Sequence, residues 1–92
     1  MSQKTQFRID YRRFGRKFTL AIEVGSETFE IKNKKSVRIT KIGEFRFDKS
    51  KRTLSFAPLM ATKTHDIELK TGGIFLVILE DQRLSSQALK IE

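Results

Sequence analysis

Eight consecutive residues, Tyr11-Arg12-Arg13-Phe14-Gly15-Arg16-Lys17-Phe18, hold four cations and three aromatic rings. Guanidinium groups grip phosphate oxygens in pairs and stack on flat rings. An exposed aromatic ring offers a nucleobase a stacking surface, worth about 1–3 kcal/mol per base. Phe14 is the ring with that potential. Tyr11 and Phe18 alternate in step with apolar neighbours and are read as core. The competing role for Phe14 is packing on a sheet edge or in a dimer contact, as aromatics in small domains commonly do.

A second run of cations begins at Lys32-Asn33-Lys34-Lys35 and continues through Arg38, Lys41, Arg46, Lys49, Lys51 and Arg52. Lysines on loops attract phosphate backbones without reading sequence. They also guard exposed strand edges against unwanted pairing. If Arg38 and Arg46 lie on the outer face of one bent strand, they extend the patch begun by Arg8 and Arg12. The candidate nucleic-acid-binding set is therefore Arg8, Arg12, Arg13, Phe14, Arg16, Lys17, Lys34, Lys35, Arg38 and Arg46.

No catalytic arrangement accompanies these cations. His65-Asp66 is the single histidine with an adjacent acid. Neighbours on a strand point to opposite faces, so Asp66 is poorly placed to orient the ring. With one His and no Cys, the only further metal ligands are scattered carboxylates. Glu23, Glu27 and Glu30 lack the spacing of a calcium loop. Gly72-Gly73 has no following Gly-Lys-Ser/Thr and reads as a turn. Ser85-Ser86 has no nearby base and reads as a loop. The expectation is a non-enzymatic protein with no cofactor and no metal.

Charge is distributed unevenly. Residues 1–52 hold 15 Lys and Arg against 6 Asp and Glu, whereas residues 53–92 hold 4 against 5. A net charge of +8 on one small chain favours an anionic partner. Nucleic acid leads, bound as a single strand or by its phosphate backbone. An acidic protein surface, docked through a strand edge or an apolar patch, is the alternative. Anionic membrane surfaces rank below both. With no Trp and one Tyr, sugar-stacking surfaces are scarce.

The elements that must hold these residues have a period of two. Phe7, Ile9 and Tyr11 alternate with Arg8, Asp10 and Arg12, and Phe18, Leu20, Ile22 and Val24 with Thr19, Ala21 and Glu23. Phe29 with Ile31, Leu54 with Phe56 and Ile67 with Leu69 repeat the pattern. Such alternation buries one face and wets the other. Ile74 to Leu79 is apolar on both parities and reads as a central strand covered on both sides. Val37, Ile39, Phe45 and Phe47 share one parity with Lys41 and Gly43 between them. This is met by a strand bent at Gly43, or by two strands joined there. A break is the better account of Lys41, which an unbroken strand would aim inward at a cost.

Turn residues at Phe14-Gly15-Arg16, Gly25-Ser26-Glu27, Asn33-Lys34-Lys35, Asp48 to Lys51 and Thr71-Gly72-Gly73 separate the runs. Pro58 ends a strand or marks a sheet edge. Residues 81–92 read as a final strand in preference to a helix capped by Asp81, and Pro58 to Lys63 as a loop. The expected fold is all-β, a small single-domain sandwich or partly open barrel of about seven or eight mostly antiparallel strands over 1–92, with residues 1–5 as a loose N-terminal end. Ile, Leu, Val and Phe number 28, enough for one modest core that self-association or a partner would reinforce. The N-terminal residues lack an apolar stretch, and the longest apolar run, Ile74 to Leu79, is far short of the ~20 residues that span a bilayer. The chain is therefore expected to be soluble and intracellular, in cytoplasm or nucleus.

Overall fold

The computed structural model describes residues 4–32, 36–60, 63–80 and 83–91. Among these the chain forms nine strands and no helix: β1 (Lys4–Phe14), β2 (Lys17–Val24), β3 (Glu27–Ile31), β4 (Val37–Thr40), β5 (Gly43–Asp48), β6 (Thr53–Pro58), β7 (His65–Glu68), β8 (Gly73–Glu80) and β9 (Arg83–Lys90). They make two antiparallel sheets, ordered β3-β2-β1-β8-β9 and β4-β5-β6-β7. No described helix is long and apolar enough to cross a membrane.

The period-two residues form the filling between the sheets. Phe7, Ile9 and Tyr11 of β1 are buried beside Leu20, Ile22 and Val24 of β2. Phe45, Phe47, Leu54 and Phe56 oppose them from β5 and β6. Two aromatic clusters join the layers. Phe7 sits edge-on to Phe45 and Phe56 at 5.1 and 4.9 Å, and these two rings stack on each other at 4.5 Å. Tyr11 of the five-stranded sheet meets Phe47 of the other at 5.4 Å, with Phe18 4.9 Å from Phe47.

The β1–β2 turn is two residues long, with Phe14 opposite Lys17. Gly15 has φ +62° and Arg16 a negative φ, the pattern of a type II′ turn, whose first central position takes glycine.

The break expected from Lys41 is present: residues 37–48 are two strands joined by Lys41-Ile42, one of the two arrangements their parity allows, and they bring the total to nine. Other expectations need correction in detail. Thr40 is opposite Gly43, so an odd residue in β4 faces an even one in β5. The buried Phe45 therefore pairs with Arg38, while Ile39 is 74% exposed. Lys41 lies at the surface, 3.8 Å from Glu27. β8 is fourth of five strands, and only Phe75, Val77 and Leu79 are fully buried, with Ile74, Leu76 and Ile78 half-buried on the outer face. β1 starts at Lys4, so Lys4 and Thr5 belong to a strand, and residues 1–3 lie outside the described residues. The 83–90 segment is a strand, as expected, but Ser85 and Ser86, read as a loop, lie within it, with Ser86 opposite Ile78 where the β8–β9 register shifts.

A candidate cationic site at one end of the sandwich

Consecutive antiparallel strands return the chain to the same end at every second connection. The β1–β2, β3–β4, β5–β6 and β7–β8 connections therefore share one end, and their described residues bring Arg16, Lys32, Lys49, Lys51, Arg52 and Lys70 there. Arg13 and Lys17 flank the first of these turns. At the opposite end, the described connections carry Lys41, already paired with Glu27, and Lys63.

Two turns distant in sequence meet over the second aromatic cluster. Tyr11, Arg13, Arg16, Phe18, Lys49 and Ser50 line a recess of about 300 Å³. Three of the six are cations and none is an acid. Arg13 donates from Nε to the Gly15 carbonyl at 2.8 Å, which fixes its guanidinium across the hairpin tip. Tyr11 is 2% exposed and Phe18 half-buried, so the floor is apolar. Charges beside a low-dielectric floor interact more strongly with a ligand than they would in open water.

A second recess of about 380 Å³ adjoins the first across Ser50, with Lys51, Arg52, Thr53, Glu68 and Lys70 as its other walls. The Leu69 amide donates to the Arg52 carbonyl at 2.9 Å, tying the β5–β6 turn to the β7–β8 connection. Phe18 also lines a third recess, of about 330 Å³, which Lys32 and Glu30 border.

Asp48 organises the turn between the two recesses. Its Oδ1 accepts from the Ser50 hydroxyl at 2.7 Å and from the Ser50 and Lys51 amides at 3.0 and 3.1 Å. These donors favour the ionised carboxylate, the Ser50 hydroxyl foremost and the Lys51 amide next, and hold its pKa below the ordinary 3.8. A lowered folded-state value means that the turn gains from ionisation above 3.8 and loses that gain as pH falls through the lowered value. The Ser50 and Lys51 amide resonances are therefore expected to titrate together with a midpoint below 3.8. A midpoint at or above that value would mean that the donors do not engage the carboxylate.

The residues singled out in the sequence separate into groups. Arg13, Phe14, Arg16 and Lys17 stand at the cationic end, with Phe14 66% exposed at the hairpin tip. Arg8 and Arg12 lie on the outer face of the five-stranded sheet, and Arg12 Nε is 3.2 Å from Asp10 Oδ1. Arg46 lies on the outer face of the other sheet, 3.2 Å from Glu44. Arg38 turns to the seam between the sheets, its guanidinium 5.5 Å from the centre of the Phe29 ring. Arg38 and Arg46 thus do not share a face, because a two-residue turn inverts parity between β4 and β5, and neither extends the patch of Arg8 and Arg12, which belongs to the other sheet. Lys34 and Lys35 lie outside the described residues.

Lys49, Ser50, Lys51, Arg52 and Lys70 belong to this end but not to the candidate set drawn from the sequence. Their signal is spacing. Cationic turns recur at intervals of 16, 17 and 21 residues, at Arg16, Lys32, Lys49 and Lys70, each interval spanning two strands with their turns. His65 is buried on the inner side of β7, with Nε2 lacking a hydrogen-bond partner. Asp66 faces outward and accepts from Ser55 Oγ at 2.7 Å. Among the described residues no three His, Cys, Asp or Glu side chains gather to hold a metal ion.

The fold and site together define an antiparallel β-sandwich with one cationic end. Comparison with known proteins finds no matching family model, curated protein or solved structure.

Proposed function

We propose that this chain is a non-enzymatic β-domain that binds nucleic acid end-on. The observation that carries the reading is the convergence of Arg13, Arg16 and Lys49, from turns more than thirty residues apart, on one recess without an acid. Surface cations that serve only solubility are usually interspersed with acids. Here like charges are held together against mutual repulsion, an arrangement that an anionic ligand relieves.

The test is fluorescence anisotropy of labelled single-stranded DNA, duplex DNA and RNA over a salt series. Arg13→Ala/Arg16→Ala/Lys49→Ala is expected to weaken binding about a hundredfold, for two phosphate grips lost at about 1.5 kcal/mol each. A control with the same charge loss elsewhere, Arg8→Ala/Arg46→Ala/Lys63→Ala, is expected to retain most of the affinity. Equal weakening in both variants would reduce the interaction to generic charge. No binding by the unaltered protein would reject the reading outright.

A second reading, docking on a partner protein, is favoured by a different place. Leu59 and Met60 are 60% and 99% exposed beyond β6, and the Leu59 amide donates to the Ile42 carbonyl at 3.0 Å. With the exposed Ile39 on β4, they put apolar surface at the end away from the cations.

A further inference from the structure

Resting on the end-on reading above, we infer that the ligand is a single strand laid across the Asp48–Thr53 turn, its backbone held in both recesses and a base stacked on Phe14. The recesses share Ser50 as their common wall. The cations on either side, Lys49 and Lys51, have Cα atoms no more than about 7.6 Å apart, two steps along the chain. That interval suits neighbouring phosphates along one strand, which a single strand and either strand of a duplex both present.

Phe14 makes the distinction between strand types chemical. Its ring is 66% exposed at the hairpin tip, beside Arg13 and close to Arg16. A ring in that position can stack on a base only if the base has an open face, which paired and stacked bases inside a duplex lack. The stations then follow in order: Phe14, the recess of Arg13, Arg16 and Lys49, the Ser50 wall, and the recess of Lys51, Arg52 and Lys70. Glu68 in the second recess subtracts from its positive charge and makes it the weaker of the two.

The experiment compares oligo-dT from two to ten nucleotides with a long duplex of about thirty base pairs, in which nearly every base face is covered, using the unaltered protein, Phe14→Ala and Lys51→Ala/Lys70→Ala. Affinity for oligo-dT is expected to climb steeply to about four nucleotides and then level off, near the lower limit of single-strand site sizes. Phe14→Ala should weaken single-strand binding about five- to 150-fold, the equivalent of one stacked base, and leave duplex binding unchanged. Lys51→Ala/Lys70→Ala should make the log–log salt slope on oligo-dT less steep by about 0.7 for one lost phosphate. If Phe14→Ala affects both strand types alike or neither, or the lysine pair leaves the slope unchanged, the path is wrong. The Arg13/Arg16/Lys49 result can stand while this fails, so the two readings fall separately. Ser50→Glu places a charge at the shared wall and should weaken both contacts at once. Retained affinity in that variant would also overturn the path.

Discussion

Gly43→Ala is expected to destabilise the fold by about 4 kcal/mol and lower the thermal midpoint by about 20 °C. Gly43 opens β5 with φ +149°, a backbone conformation that side-chain-bearing residues rarely adopt. A Cβ there would run into the Ala57 carbonyl oxygen and lie 2.8 Å from Pro58 Cα and 2.9 Å from Phe56 Cε1. Two of these three atoms are backbone of the paired strand β6, and the third belongs to a ring packed among buried aromatics. None can move aside cheaply. Gly25→Ala is the internal reference, because Gly25 has φ +62° but nothing within 4 Å of an added Cβ. It is expected to cost only about 1 kcal/mol. The difference between the two midpoints measures the steric contribution. Equal midpoints would deny the close approach of β5 and β6 at this point.

Phe7→Ala is expected to cost about 3–5 kcal/mol, the range for deleting a buried aromatic side chain. Phe7 is 1% exposed on the central strand of one sheet, and its ring contacts Phe45 and Phe56 on the two central strands of the other. Truncation removes buried apolar area, leaves a cavity between the layers and strips both partner rings of an edge contact worth about 0.5–1.5 kcal/mol. Small domains hold about 5–15 kcal/mol in total, so the variant should unfold at a much lower urea concentration with little change in slope. Phe7→Leu keeps most of the volume and should lose less than half as much. If Phe7→Ala and Phe7→Leu unfold together, the ring does not join the sheets as described.

Much of this architecture is legible in the alternation of residues. The inward sets of β1, β2, β3 and β6 are those that period two assigns. What the alternation hides is the parity change at a two-residue turn. Val37 and Ile39 share parity with Phe45 and Phe47, which suits one continuous strand, but pairing Thr40 with Gly43 sends Arg38 toward the core side and Ile39 into solvent. Lys41 marks the break in the sequence itself, since a lysine on the core parity calls for a turn, but it does not show which residues change face. The both-sided apolar character of Ile74 to Leu79 misleads in another way. It fixes that the strand is internal, between β1 and β9, but not that its second face is only half-buried.

The site was partly visible for a similar reason. The hairpin cations Arg13, Arg16 and Lys17 stand out because they crowd a few positions around one ring. Lys49, Lys51 and Arg52 look like an ordinary charged turn, and Lys70 is one lysine in a near-neutral half. Only the alternation of strand direction shows that these turns are neighbours. Clustering along the chain and clustering in space differ most where sheets pack, because contacts there join residues far apart in sequence.

The end-on placement of the cations has a consequence for how the molecule moves before it touches anything. Its extents are 44 × 25 × 25 Å, and β1 alone, at about 3.3 Å per residue, runs most of the long dimension. The described cationic turns lie together at one end of the strands. A polyanion therefore pulls on one pole of the rod and exerts a torque as well as an attraction. At physiological ionic strength the field decays over about 8 Å, so the turning occurs in the last moments of approach. On the proposed reading the domain would arrive pole-first, with its apolar end of Leu59 and Met60 trailing outward into solution.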